Sequence, residues 1–198
     1  WIVHHASLVG LENIVVIDNR STCPTVLGAY DTYAKGGLVV ERCESYSGTS
    51  QGDAFTKAMQ KHKLRCRFLI GIDTDEFIHF SDFLTSADLG LCEKKRFQNY
   101  LLGLPTDTTR FQIQTYFQSI PDPESEFYVD QRVVDPVRNI STFAEVPAKP
   151  AKCFFRSEAF VSTANGCHDG RVKRGKTASS DICLVHFNNT HEREITPT

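Results

Sequence analysis

The run Cys66-Arg67-Phe68-Leu69-Ile70-Gly71-Ile72-Asp73 leads straight into Asp73-Thr74-Asp75-Glu76-Phe77, and no other segment constrains the fold as tightly. A short, nearly unbroken apolar run bounded by polar residues reads as a strand buried on both faces. A chain that ends such a strand in carboxylates must bring it to a rim where charge is tolerated, because buried ionised groups need partners. That predicts an α/β architecture with an acidic turn at the carboxyl end of a central strand.

The segments upstream support this reading. Trp1, Ile2, His5, Leu8 and Val9 fall on one helical face, and Gly10 stops that helix. Asn13 to Asp18 reads as a buried strand, followed by a turn at Asn19-Arg20-Ser21. Thr22 is placed to cap the next helix, with Pro24 in its first turn, and Val26, Leu27, Tyr30 and Tyr33 give it an inner face. Leu38-Val39-Val40 forms a second strand, and a third helix over about 52–62 turns Ala54, Phe55, Ala58 and Met59 inward. Strand–helix–strand–helix–strand implies parallel strands with right-handed crossovers. Asp18 and Asp73 then sit on one rim, where ligands of such sheets gather.

The second half is less regular. Pro105, Pro121, Pro123, Pro136, Pro147 and Pro150 divide it into short pieces. Phe111 to Phe117 fits a strand or a helix, and 152–156 and 182–186 look like late strands. We expect one domain over 1–198, a regular half over 1–80 and a looser half over 81–198.

Composition narrows the function. Of 198 residues, 40% are apolar and 23% charged, with a net charge of −2, which argues against nucleic-acid binding by general phosphate attraction. The basic run Arg171 to Lys176 reads as a solvated loop. No apolar stretch is long enough to span a bilayer, and Trp1 reads as the start of a cut chain. The seven cysteines form no CxxC pair, which points away from a zinc knuckle and towards a reducing compartment. The sequons at Asn139 and Asn188 keep a Golgi or ER lumen as the alternative to the cytoplasm.

Two carboxylates separated by one residue at a strand end can converge on one hard cation such as Mn²⁺ or Mg²⁺, which accepts oxygen ligands and keeps positions open for phosphate oxygens. That suits a diphosphate leaving group, on which charge builds as its bond breaks. A charged turn capping a following helix is the plainer alternative. Haloacid-dehalogenase-type phosphatases also place Asp-x-Asp after an apolar strand, but Phe77 stands where they carry Thr or Val. There is no Gly-x-Ser-x-Gly elbow and no phosphate-cradling Gly-x-x-x-x-Gly-Lys loop.

Several segments together resemble one family. Trp1-Ile2-Val3-His4-His5, then Leu8-Val9-Gly10, then Ile14 to Asp18-Asn19-Arg20-Ser21 resemble the opening of family-92 and related family-2-like glycosyltransferases. Gln51 to Phe55 is similar to their Gln-x-x-Ala helix, and Ile72 to Ile78 to their Asp-x-Asp-Glu-Phe motif. Lys152 to Arg156, Gly166-Cys167-His168 and Leu184 to Phe187 resemble their late Lys-x-x-x-Arg, His and His-Tyr signals. A virus-encoded member is one form of this reading, and it would place the chain in a host cytoplasm. Cys23 departs from the Asp that the family tends to carry there, and members usually carry a strand before the first helix.

The resemblance implies a GT-A fold with a central, mostly parallel mixed sheet flanked by helices. It implies a nucleotide-diphosphate-sugar donor, of UDP or GDP type, and a glycan or glycoconjugate hydroxyl as acceptor. It makes Asp73, Asp75 and His186 ligands of Mn²⁺ or Mg²⁺, with Asp73 also on the diphosphate, and sets Asp18 or Asn19 against the base or ribose. Lys152 and Arg156, which share a strand face by alternation, are candidates for neutralising phosphate, with a structural ion pair as the plainer alternative. His168 and Asp169 lie in a Gly-bracketed turn that could close over a ligand. Asp169 is the candidate general base, and Asp130 and Asp135 are its rivals. A non-catalytic nucleotide-sugar-binding module and a metal-dependent phosphohydrolase are the alternatives.

Overall fold

A computed structural model describes residues 1–43, 51–80, 93–119 and 143–186. The chain is α/β. Helix α1 (Ile2–Val9) ends at Gly10, whose φ of 87° lies in the region that glycine enters without strain. Strand β1 (Val15–Asp18), helix α2 (Pro24–Ala34) and strand β2 (Val39–Arg42) follow. Cys23, not Thr22, is the N-cap of α2, and Pro24 opens its first turn. Helix α3 (Gln51–His62) and strand β3 (Phe68–Ile70) complete the regular half. Then come β4 (Glu76–Phe80), α4 (Glu93–Gly103), β5 (Thr108–Ser119), β6 (Phe143–Arg156), β7 (Phe160–Thr163), β8 (Gly170–Val172) and β9 (Lys176–His186).

The sheet differs from the expected one. β1 and β2 are parallel, as their helical crossover requires, but among the described residues they form a sheet of their own. The larger sheet has the order β3-β6-β5-β9-β4, and only its β5–β9 pair is parallel. The mostly parallel sheet expected from the first half is therefore corrected. The second half supplies three of the five strands, and its long strands take the partners that local rhythm had assigned to β1. The prolines do not cut β6 short. Its register against β5 jumps between Ile113↔Lys152 and Thr115↔Pro147, so Pro147 and Pro150 sit at a bulge, where a missing N–H breaks no regular ladder.

Alternation sorts the core. Phe154 points to a layer with Leu8, Ile78, Phe97 and Phe111, and its ring stacks on Phe111 at 4.8 Å. Its neighbour Phe155 points the other way, to Met59, Leu69, Phe160 and Cys167. All six cysteines among the described residues are free thiols.

Among the described residues β4 is an edge strand of the larger sheet, and α1 covers it with side chains. The Ile78 amide donates to His5 Nε2 at 3.4 Å, and the Ile78 carbonyl accepts from His4 Nε2 at 2.9 Å. His5 Nδ1 meets the Trp1 carbonyl at 3.0 Å, so its ring must be neutral, with the proton on Nδ1. Burial, and then the neighbouring His4, push the pKa of His5 down to about 3. Burial does the same to His79, again to about 3. The unfolded chain takes up protons near pH 6.5 that these two rings refuse until far lower pH, so acid favours unfolding. We predict that stability measured by urea titration falls between pH 6.5 and pH 5 by about 1.4 kcal/mol per histidine per pH unit, and less steeply in a His79→Phe chain. A flat profile would contradict the neutral cluster.

Candidate functional site

The acidic turn lies where β3 ends and β4 begins, and Lys152 of β6 lies beneath it. The Lys152 side chain has 0% exposure. Its ammonium bonds the Glu76 carboxylate and lies 3.2 Å from Asp73 Oδ2. Glu76 Oε2 also accepts from the Asp73 amide at 2.9 Å. A buried ammonium requires such partners, because desolvating a lone charge is far more expensive than desolvating a pair. The arrangement locks the turn. Asp73 Oδ1 accepts from Gln51 Nε2 at 2.8 Å, and Gln51 Oε1 accepts from the Gly166 amide at 2.9 Å. The Asp73 carbonyl accepts from the Trp1 indole at 2.9 Å. Trp1 at the N-cap of α1, the first residue of α3, β6 and, through Gln51, the 165–167 turn are thus all tied to one aspartate. Burial, foremost, raises the pKa of Glu76, against the pull of Lys152.

Asp75 points elsewhere. Its Oδ2 lies 3.3 Å from His186 Nε2 at the end of β9, with Asp75 31% and His186 22% exposed. Both chain directions favour this approach, because Glu76 and His186 are register partners in the β4–β9 ladder. The bond to His186 lowers the pKa of Asp75, and the bond to Asp75 raises that of His186. The Tyr116 ring meets His186 edge-on at 5.9 Å. The cluster holds three carboxylates against one lysine, so it keeps excess negative charge even when His186 is protonated.

Of the three residues expected to bind metal, the structure therefore brings two together. Asp75 and His186 meet as a partly exposed pair 3.3 Å apart, and with the imidazole Nε2 deprotonated they offer an oxygen and a nitrogen, a donor pair suited to Mn²⁺. Asp73 has both oxygens engaged by Gln51 and Lys152. Among the described residues there is no group of three or more side chains placed to hold an ion.

The other expected residues are dispersed. Asp18 is 2% exposed at the end of β1; its Oδ1 accepts from the Ser21 amide at 3.2 Å, and its Oδ2 lies 3.8 Å from Arg42 Nε without a hydrogen bond. Asn19 is exposed beside it. Arg156 shares a face with Lys152 but lies four residues along β6, about 13 Å at strand rise. There its guanidinium donates to the carbonyls of Thr108, Leu104 and Pro105 and covers the Phe68 ring, so it closes the α4–β5 connection and is not at the acidic turn. Lys152 supports the carboxylates from below. Asp169 is exposed and pairs with Arg110 at 2.6 Å, outside the hydrogen-bonded group around Asp73. His168 follows the 165–167 turn, which reaches α3 through Asn165 Oδ1 and the Gly52 amide at 2.8 Å. Asp130, Asp135 and both sequons lie outside the described residues.

Glu76 and Gln51 were not assigned roles from sequence. Glu76 directly follows Asp75, and Gln51 opens a helix, but that both converge on Asp73 depends on β3, β4 and α3 packing together. No protein family, curated protein or solved structure compared with this chain matches it.

Two outcomes follow. Lys152→Met should lose about 3–5 kcal/mol of stability in urea titrations, because Glu76 is left buried and unpaired. The double change Lys152→Met/Glu76→Gln should recover part of that loss; equal losses would contradict the charge lock. In metal-free protein, an NMR titration of His186 should have its midpoint above the usual 6.5, and Asp75→Asn should lower it. A midpoint unmoved by Asp75→Asn would contradict the pair.

Proposed function

We propose that this chain is a metal-dependent glycosyltransferase that moves a sugar from a nucleotide-diphosphate donor to a hydroxyl of a glycan or glycoconjugate. The observation that carries this reading is the partly exposed Asp75–His186 pair, which stands beside an Asp73 that Lys152 and Gln51 fix at the end of a buried strand. In this reading Asp75 and His186 hold Mn²⁺ or Mg²⁺, and Asp73 is the charged wall that orients them. Bound there, the ion supplies charge stabilisation to the departing diphosphate. Asp18, with one buried oxygen lacking a hydrogen-bond donor, would accept from a ribose hydroxyl or a base N–H. The rigid lock beneath Asp73 suits a site whose charges must be in place before the leaving group develops its own. A GT-A arrangement of the sheet belongs to this proposal. The phosphohydrolase alternative requires Asp73 as a nucleophile, whereas both of its oxygens are hydrogen-bonded.

The membrane plays no part in the reading, and no helix among the described residues is long and apolar enough to cross one. The test is a melting-temperature panel of UDP- and GDP-sugars with and without Mn²⁺. The matching donor with Mn²⁺, at about a hundredfold excess over its Kd, should raise Tm by roughly 5–10 °C, and Asp75→Ala should remove most of that rise. No shift with any donor, or a shift equal in the Asp75→Ala chain, would overturn the proposal.

A further inference from the structure

The end of the larger sheet opposite the acidic turn carries the reverse charge. Phe68 at the start of β3 pairs with Arg156 at the end of β6, and Thr108 at the start of β5 pairs with Lys176 at the start of β9. The segment before β3, the β6–β7 turn and the β8–β9 turn therefore meet at that end. Backbone bonds join them: the Ser157 amide donates to the Arg67 carbonyl at 3.0 Å, and the Lys173 amide to the Ala159 carbonyl at 2.8 Å. Lys63, Arg65, Arg67, Lys173 and Arg174 lie on these joined segments, and none of them forms an ion pair among the described residues. Lys61 and Lys176 at the same end are neutralised by Glu41 and Asp107. Only Glu12 and Glu158 stand against the five there as carboxylates without a cation among the described residues.

The run Arg171 to Lys176 is solvated, but its backbone is fixed. The Arg174 carbonyl accepts from Thr109 Oγ1 at 2.5 Å, and the Lys176 amide donates to the Asp107 carbonyl at 2.9 Å. Gly175, with φ at 99°, passes so close to the Thr109 side chain that a Cβ would not fit. Little backbone freedom is left to lose when a ligand engages Lys173 and Arg174. The same end also exposes leucines. Leu64, between Lys63 and Arg65, is 93% exposed, and Leu102 is 63% exposed. Leu102 borders the same apolar slot as Arg65 and Arg67, and Arg156 holds the end of α4 close by through the Leu104 and Pro105 carbonyls. A polyanion such as a nucleic acid would meet the cations and leave both leucines in water. An anionic bilayer surface accepts both, with phosphates against the cations and leucine side chains among the headgroups.

We propose that this end of the sheet docks the chain on an anionic lipid bilayer, with the five cations on the headgroups and Leu64 and Leu102 in the interface. The net charge of −2 does not oppose docking, because the charges are segregated. The acidic turn lies at the far end of the sheet, so an anionic surface attracts one end and repels the other. Docking then turns Asp73 and Asp75 away from the bilayer. The attachment is peripheral and needs no spanning helix. It goes beyond the glycosyltransferase reading and does not depend on it.

The test is co-sedimentation of the full chain with vesicles of phosphatidylcholine alone or with about 30% phosphatidylserine, at about 0.1 M and 0.5 M salt. Two charge reversals probe the face independently, Lys173→Glu/Arg174→Glu and Lys63→Glu/Arg67→Glu. Lys94→Glu/Lys95→Glu, exposed at the start of α4, changes the net charge equally away from it. Melting temperatures show which variants keep the fold. The chain should bind the phosphatidylserine vesicles at low salt, weakly at high salt, and phosphatidylcholine alone hardly at all. A cation at such a surface is worth roughly fivefold in partitioning, so each folded reversal on the face should lower binding at least tenfold and the α4 control less than about twofold. Leu64→Ser/Leu102→Ser should lower it about threefold or more. No binding to phosphatidylserine vesicles, equal binding to both vesicles, or a loss in the control as large as on the face would overturn the proposal. Binding unchanged in the leucine variant would overturn it too, since the face would then be a general polyanion patch.

Discussion

The ammonium of Lys152 organises this molecule. It lies fully buried between Glu76 and Asp73, and in a medium of low polarity its attraction for them is strong enough that neither carboxylate can swing away without stranding a charge. From that pin the structure radiates. Gln51 ties α3 to Asp73, Trp1 ties α1 to the same residue, and β6 carries the lysine itself. A buried ion triad of this sort adds little net stability over an apolar replacement of similar volume. Its effect is to fix geometry, and the geometry it fixes is an acidic turn with Asp75 directed outward to His186.

The edges of the large sheet are treated unequally. At β4 two histidine rings of α1 satisfy the backbone of Ile78, His4 as a donor and His5 as an acceptor that must stay neutral to do so. At β3, the other terminal strand among the described residues, residues 68–72 line an apolar slot that Val15 and Ile17 of β1 also line. The same helix, α1, closes the β4 edge with its histidines and lines that slot with Leu8 and Val9. Both features bear on the acidic turn, since β3 delivers the chain to Asp73 and β4 receives it at Glu76.

Local signals made much of this legible. The apolar run before Asp73, the glycine after α1 and the proline at the start of α2 are short-range cues, and those elements form close to where they point. The face of α3 is also legible, with Ala58 and Met59 buried. Strand partnership is a different kind of information. Nothing near Phe68 specifies that it pairs with Arg156 rather than with β1, because that choice depends on how two long strands from the other half fill the sheet. For the same reason Lys152 and Arg156, equivalent by alternation, end in different roles: one beneath the carboxylates, the other on the carbonyls of the α4–β5 connection. The convergence of Gln51 and Glu76 on Asp73 was hidden likewise, since each contact joins elements distant in sequence. Pro147 and Pro150 misled through a sound rule, as prolines do interrupt ladders, and here the interruption takes the form of a bulge inside one strand.

The central claim is that Asp75 and His186 form a divalent-ion site at the edge of this locked turn. Anomalous diffraction from crystals soaked in Mn²⁺ and a nucleotide diphosphate tests it most directly. The account predicts one strong anomalous peak at Asp75 and His186 that is absent from Asp75→Ala crystals. Diphosphate bound elsewhere, or manganese bound away from both side chains, would contradict it.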